Sequence, residues 1–374
     1  MPVEKRTYGQ WWDTTEELVR VPVDRVLEIG IAALKSGGAT EENAAFIMDQ
    51  SLMKALQGDH TRGLGRLPGT VQAAKNGALD LNPEVKVLRE SSATALVGAG
   101  PNAQSSIVCR FAMDLAIEKA RQHGVGWVGA HALGGILTQF VKQAVDAGMI
   151  GMVMTQSFPS VAPLGGMKPL LGNAPIAFGI PAGKHAPVIL DLSMTESSAS
   201  GMFQTAKQGG QAPEGALLDE RGNPTRDARE FVTEGSLGGM DMVARGSLSA
   251  LGGGHKGYAL VFIVGLLSYI LTDTSPPWDL RKDIEPPGQV GTFFVAIDPA
   301  RFTPAEEVAS RVDSFIDTVK SQPKKAGAVD ILYPGERSQQ FQREGLERGT
   351  VDIPASHYQG LASLAKELGM EGTI

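Results

Sequence analysis

The sequence predicts a mixed fold of α-helices and β-strands, and three observations carry that expectation. Amphipathic segments with helix-capping chemistry alternate with short apolar runs bounded by glycine or proline, the pattern of buried strands. The chain has 374 residues, 42% hydrophobic and 20% charged, which is ample for a deep core and ordinary for a globular protein. Its 46 glycines and 22 prolines fall between the periodic segments, so the expectation is many turns, no disordered linker and no fixed repeat. At roughly 150 residues per domain, the length suits two or three domains or one large discontinuous one.

Residues 24–36 and 40–57 read as a helical pair. Thr40 can cap the second helix, Glu41 and Glu42 favour the positive end of its dipole, and Ile47, Met48, Leu52 and Leu56 recur on one face. Gly58 stops that helix, so the stretch "GDHTRGLGRLP" (58–68) is a loop following it. Residues 102–122 form the next helix, with Ile107, Phe111 and Leu115 at four-residue spacing, Cys109 in its core and Gly124 as its end signal. "VGWVGA" (125–130), "MIGMVMT" (149–155), "PVILDLSM" (187–194) and "GTFFVAID" (291–298) read as buried strands. Thr303, Pro304, Ala305 and Glu306 read as a capping box with proline at the first helical position, opening a helix to about Lys320. "DERGNPTRDARE" (219–230) reads as a solvated loop.

Composition excludes several functions. A net charge of −7 without a long basic run leaves no electrostatic footprint for nucleic acid or an anionic membrane. The longest apolar run, residues 258–272, is shorter than the ~18 residues of a membrane span and is expected to be a buried helix. The first residues lack an apolar export segment, and Cys109 is the single cysteine, so a reducing cytoplasm is the expected location. None of the six histidines has a metal-ligand spacing. "VGAGPNAQSSIV" (97–108) lacks the third glycine of a Rossmann fingerprint, and "GGGHKGY" (252–258) lacks P-loop spacing, although its backbone and lysine suit a phosphate.

Read in order, "GDHTRGLGRLP", residues 148–183, "VILDLSMT" (188–195), "PEGALLDERGNPT" (213–225), "GGGHKGYAL" (252–260) and "ILYPGERSQQ" (331–340) resemble the malate/L-lactate dehydrogenase type 2 family. That family also includes ureidoglycolate, sulfolactate and diketogulonate enzymes and cyclic imino acid reductases. The resemblance runs from about Val23 to Leu368. It implies a non-Rossmann dinucleotide-binding fold: a large mixed sheet flanked by helices, with a helical part built from both chain ends. The implied division is 1–90 together with 255–374 as the helical, dimerising part, and 91–254 as the cofactor-binding part. It also implies a homodimer with sites near the subunit interface, NAD or NADP as cofactor, and a small anionic organic acid as substrate. By motif, the cofactor contacts would be Asp191, Leu192, Ser193, Met194 and Thr195, then His255 and Lys256, then Gly335, Glu336 and Arg337. Hydroxyls, a lysine and an arginine independently suit pyrophosphate and ribose, while salt bridging or helix capping is the structural alternative for the acidic residues.

The family pattern in the opening loop is Ser or Thr, His, Gly, two variable residues, Arg. Here Thr61 and the substrate-clamping Arg66 are present, but Arg62 stands where the proton-carrying histidine belongs. Arginine stays charged at any working pH, whereas histidine loses and regains a proton near neutrality. The second histidine motif places Ala132 at the histidine position and His131 one residue earlier, and the "LGTNP" signature has become Leu171, Gly172, Asn173, Ala174 and Pro175. His60, His131, Lys256 or water would then carry the proton, with Arg62 as a second anion clamp. The expected reaction is hydride transfer to or from a 2-oxo, 2-hydroxy or cyclic 2-imino acid. The alternatives are an NAD-binding lyase, isomerase or dehydratase without net redox change, and an inactive dinucleotide-binding homologue.

Overall fold

The computed structural model describes residues 16–232, 244–280 and 289–370. Trp11, Trp12 and residues 233–243 of the segment 231–247 lie outside them. From the N-terminal side, β1 (Leu18–Pro22) leads into α1 (Val23–Ser36) and α2 (Glu41–Leu56). Thr40 caps α2, its hydroxyl accepting from the Asn43 N–H at 3.3 Å. After α3 (Leu67–Lys75) come β2 (Lys86–Glu90), β3 (Thr94–Gly98), α4 (Ser105–His123) and β4 (Val125–His131). Gly124 ends α4 in the left-handed conformation, as a residue without Cβ can. Next are α5 (Leu137–Asp146), β5 (Ile150–Thr155), β6 (Ile176–Ile180), β7 (Val188–Leu192) and α6 (Ala199–Lys207). Two-residue strands β8 (Leu217–Leu218), β9 (Pro224–Thr225) and β10 (Ser247–Leu248) make a small separate sheet. The chain finishes with α7 (His255–Ile270), β11 (Gly291–Ile297), α8 (Ala305–Lys320), α9 (Glu336–Arg348), β12 (Thr350–Pro354) and α10 (Ala355–Glu367).

Seven strands form the main sheet in the order β2-β3-β4-β11-β5-β6-β7. Only β3 and β4 run parallel, joined across α4; the other neighbours are antiparallel. This mixed topology is not the parallel sheet of a Rossmann domain. Helices α4 and α5 bury one sheet face, and Phe140 of α5 meets Phe294 of β11 edge to face, centroids 5.5 Å apart and both rings fully buried. A second core joins the two chain ends: β1 pairs antiparallel with β12, and α1, α2, α3 and α10 close around Ile29, Leu34 and Met48. A third cluster beside the small sheet centres on Met202, Leu217, Phe231 and Leu248.

Three expectations need correction. The helix over 258–272 forms as α7, but it is not buried: Leu260, Phe262, Ile263, Leu266 and Ile270 are exposed, and only one narrow face, with Gly257, Val261, Val264 and Ser268, packs inward. The run is apolar all round because both faces lack water-facing residues, which sequence alone reads as interior. The capping box at 303–306 does not form, because extended Pro304 is itself the N-cap of α8 and Thr303 donates its N–H to Pro299 O in the preceding turn. Finally, residues 219–230 are partly ordered: Asp219 accepts the N–H groups of Arg221 and Asn223, closing the β8–β9 turn, and Ala228 is buried.

Removing the ring at the sheet centre, Phe294→Ala, is expected to cost about 3–5 kcal/mol. Thermal melts should show a midpoint lowered by on the order of 10 °C with native helicity retained below it; an unchanged midpoint would contradict this account of the core.

Candidate active site

The loop between α2 and α3 is shaped by two close approaches. Gly63 has φ +80°, and a Cβ there would lie 2.8 Å from the Ser51 carbonyl oxygen of α2. A Cβ on Gly65 would strike the His357 imidazole of α10. Only glycine fits both places, so the loop is held between the two helices and Arg62 is directed toward the sheet. There the Arg62 guanidinium donates through Nη1 to Gly135 O at 2.8 Å, ahead of α5.

Behind the loop lies a buried charge cluster. Asp59 accepts the Thr61 hydroxyl at 2.6 Å and the Thr61 N–H at 3.1 Å. Burial pushes the Asp59 carboxyl up, but Lys54, Arg62 and the Thr61 bonds outweigh it and hold it below the usual carboxylate value. The Lys54 ammonium stands 3.9 Å from Asp59 Oδ2 and 3.6 Å from Asp191 Oδ2. Asp191, on β7, also accepts the Thr138 hydroxyl at 2.6 Å and the Thr138 N–H at 3.0 Å, both from the first turn of α5. One cluster therefore ties α2, its following loop, α5 and β7 together.

Two cavities meet at this loop. The first, about 370 Å³, is lined by Lys54, Asp59, Thr61, Arg62, Asp191 to Ser193, Thr195 to Ser198, Arg337 and Ser338. A neighbouring space of about 250 Å³ shares Lys54, Gln57, Asp191 and Ser338 with it and is also walled by Gly335. The second cavity, about 550 Å³, is lined by Arg62, Arg66, Ile47, Leu67, Leu133, Phe158 and others. Arg62 and Pro175 line both, so they form the partition.

The first cavity has the chemistry of a phosphate-bearing ligand. The N-termini of α6 and α9 open on it through Ser198 and Arg337, its wall carries six hydroxyls, and buried Ser197 Oγ has no partner among the described residues. The second has the chemistry of an organic anion. Arg66 is exposed by surface area, yet burial and then nearby Arg62 lower its pKa, as befits a guanidinium inside a protein-walled space. No hydrogen bond or ion pair engages its guanidinium among the described residues, and the cavity wall carries two guanidinium groups, Arg62 and Arg66, with no carboxylate among its lining residues.

The structure gathers Thr61, Arg62, Arg66, Asp191, Leu192, Ser193, Thr195, Gly335 and Arg337 around these spaces. Other residues singled out in the sequence point elsewhere. His60 turns to His357, ring centroids 6.4 Å apart, and lines neither cavity. Burial, then His357, pushes its pKa down to about 4. His131 Nε2 lies 2.9 Å from Thr272 O, also outside both linings. Met194 is buried in the third core, and Glu336 accepts from Lys320 at 2.6 Å beside the α9 N-terminus. His255 and Lys256 are exposed on the first turn of α7. Ala174, where the family signature has asparagine, sits buried at φ +44°, a conformation asparagine tolerates better. The residues that sequence reading missed are Lys54, Asp59 and Thr138; Asp59 lay inside the quoted loop, but nothing local marked Lys54. Among the described residues, no group of histidine, cysteine or acidic side chains is arranged to hold a metal.

The mixed seven-stranded sheet, with two cavities meeting at an arginine partition, is the frame in which the chain's class is read, and that class is an oxidoreductase. The model of the malate/L-lactate dehydrogenase family matches residues 21–362, and the chain belongs to that family. It is 32% identical to the malate dehydrogenase of Pyrococcus abyssi over 96% of this chain and 97% of that one. It is 28% identical to a Delta(1)-pyrroline-2-carboxylate/Delta(1)-piperideine-2-carboxylate reductase of Pseudomonas putida, covering 94% and 98% of the two chains. The solved malate dehydrogenase of Pyrococcus horikoshii OT3 superposes with a TM-score of 0.79 at 31% identity, covering 95% of this chain and 97% of that chain. The protein is accordingly an oxidoreductase, and dehydrogenases of this family use NAD(P).

The His60 pKa carries a consequence for stability. With a folded value of about 4 against an ordinary 6.5, the unfolded chain binds the proton first as pH falls. Stability is therefore full above pH ~6.5 and declines toward pH ~4, by up to about 3 kcal/mol from this residue. Thermal melts between pH 7 and 4.5 should fall less steeply for His60→Gln than for wild type; parallel curves would refute the assignment.

Proposed function

We propose that the protein transfers hydride between NAD(P)(H) and C2 of a small 2-oxo or 2-hydroxy acid, or a cyclic 2-imino acid. The observation that carries this reading is the Arg62 partition, with hydroxyl groups and helix N-termini on one side and a second arginine on the other. Ser193, Thr195, Ser197, Ser198 and Arg337 would hold the phosphates and riboses of the cofactor, and the reduced nicotinamide supplies the hydride. Arg66 clamps the substrate carboxylate, since a guanidinium matches a carboxylate with two parallel N–H donors. Arg62 adds a second anion contact and orients the acid at the partition. As a permanent cation it carries no proton, so the proton-transfer residues differ from the family pattern.

The exposed apolar face of α7 favours a homodimer, because an uninterrupted stripe of Leu260, Ile263, Leu266 and Ile270 is costly in water. Light scattering on the purified protein should give twice the chain mass, and Ile263→Lys with Leu266→Glu should shift it to the monomer; a wild-type monomer at micromolar concentration would refute this.

Panels of 2-oxo and cyclic 2-imino acids should oxidise NADH or NADPH in the presence of the protein. Arg66→Met should raise KM for the acid by about 100-fold, the value of a charge-assisted bidentate contact, with a smaller change in kcat. No turnover of either class with either cofactor would sink the reading. Product formed without net change in NAD(P)H would instead favour a lyase or isomerase, a reading motivated by the absence of histidine at positions 62 and 132.

A further inference from the structure

Two lysines are buried among the described residues, and their surroundings differ. Lys119, 6% exposed, bonds Ser91 O at 2.8 Å and Glu90 Oε1 at 2.9 Å, the close contacts of a structural ammonium. Lys54, 8% exposed, has nothing closer than Thr138 Oγ1 at 3.4 Å, Asp191 Oδ2 at 3.6 Å and Asp59 Oδ2 at 3.9 Å. An ammonium has three donors, and good N–H···O bonds are about 2.7–3.2 Å long. Lys54 is thus held between two carboxylates without being saturated by either, and it lines the cavity that Arg62 also lines.

Reducing a carbonyl requires a proton for the oxygen as hydride reaches the carbon, and the other groups of the site are poor sources. Arg62 and Arg337 are guanidinium ions that do not give up a proton in water. Asp59 is held in its ionised form, and Asp191 accepts two bonds from Thr138. Glu196 accepts the Gly252 N–H. His60 and His131 face away from both cavities. Among the described residues that line the first cavity, Lys54 is the one ammonium, and it shares that wall with Arg62, which also faces the cavity of Arg66.

We propose that Lys54 is the proton carrier of this enzyme, a reading that rests on the function proposed above. In reduction, hydride from the dihydronicotinamide forms the new C–H bond at C2 and the carbonyl π pair takes a proton from Lys54 Nζ. The products are the 2-hydroxy acid, oxidised nicotinamide and a neutral Lys54 amine, which recovers its proton from water. In oxidation the same amine accepts the hydroxyl proton while hydride leaves C2. Asp59 and Asp191 are positioning residues that keep Nζ at the cavity wall.

The test uses the full chain with NAD(P)H and a 2-oxo acid that wild type reduces. Lys54→Arg keeps the cation between Asp59 and Asp191, so it should fold and bind NAD(P)H, by fluorescence titration, within about 3-fold of wild type. Its kcat should nevertheless fall by about 10²–10⁴-fold, the usual contribution of a general acid. Lys54→Ala should regain turnover in a saturable way with added methylammonium or ethylammonium, whose protons substitute for the missing one. Turnover by Lys54→Arg within about tenfold of wild type would overturn the proposal, since charge alone would then suffice. So would a loss explained by weaker NAD(P)H binding without amine rescue, which would make Lys54 a cofactor ligand. Wild-type turnover of imino acids alone, whose nitrogen brings its own proton, would overturn it while sparing the proposed function; no turnover at all would sink both.

Discussion

The contacts of Lys54 with Asp59 and Asp191 fix the geometry on which the rest of the site depends. These side chains come from α2, the loop that follows it and β7, and Thr138 adds the N-terminus of α5. Buried charges are costly unless they meet opposite charges or donors, so each element is held where the others need it. Removing one member leaves the others uncompensated, typically at about 3–5 kcal/mol. The cluster also forms one wall of the first cavity, so the groups that hold the site together face the place where a ligand would bind.

Arg62 divides the two cavities by sharing in both. Its guanidinium is anchored on Gly135 O and balanced by Asp59, while Arg66, on the wall of the second cavity, has no such anchor. The asymmetry gives the arginines different work. Under the proposed function, a fixed cation would shape the partition and stabilise negative charge near it, and an unengaged one would select a carboxylate. On that reading, arginine where the resembled family pattern has histidine would add anion affinity and remove a proton site in one step. That chemistry must be supplied by another residue if the reaction at C2 is retained.

Much of the fold was legible in the sequence because caps, glycine stops and apolar runs are local signals. Thr40, Gly124 and the four apolar strand segments mark elements that the structure contains. The capping box at Thr303 misled because proline, itself extended, took the cap position. The α7 run misled because an apolar stretch does not say whether its own chain covers it. In the site, resemblance drew attention to the 58–66 loop, the β7 end, the 335–337 turn and the start of α7; the first three wall the cavities except for His60, Leu64, Gly65, Met194 and Glu336, whereas His255 and Lys256 line none of them. Histidines attracted notice as residues of the right type, but His60 and His131 turn to His357 and Thr272. Lys54 escaped notice because a lysine within a helix is ordinarily solvated. Its partner Asp191 is far away in sequence, and only folding puts the two carboxylates beside it.

Transfer of the label itself is the most direct measurement of the central claim. Wild-type protein incubated with NADH or NADPH deuterated at nicotinamide C4, together with a 2-oxo or cyclic 2-imino acid, should give a product one mass unit heavier, with the deuterium at C2. Deuterium from one of the two C4 positions only would show that the nicotinamide presents a single face across the Arg62 partition. Product carrying no cofactor-derived deuterium, or deuterium taken from heavy water at C2, would contradict hydride transfer between the two cavities.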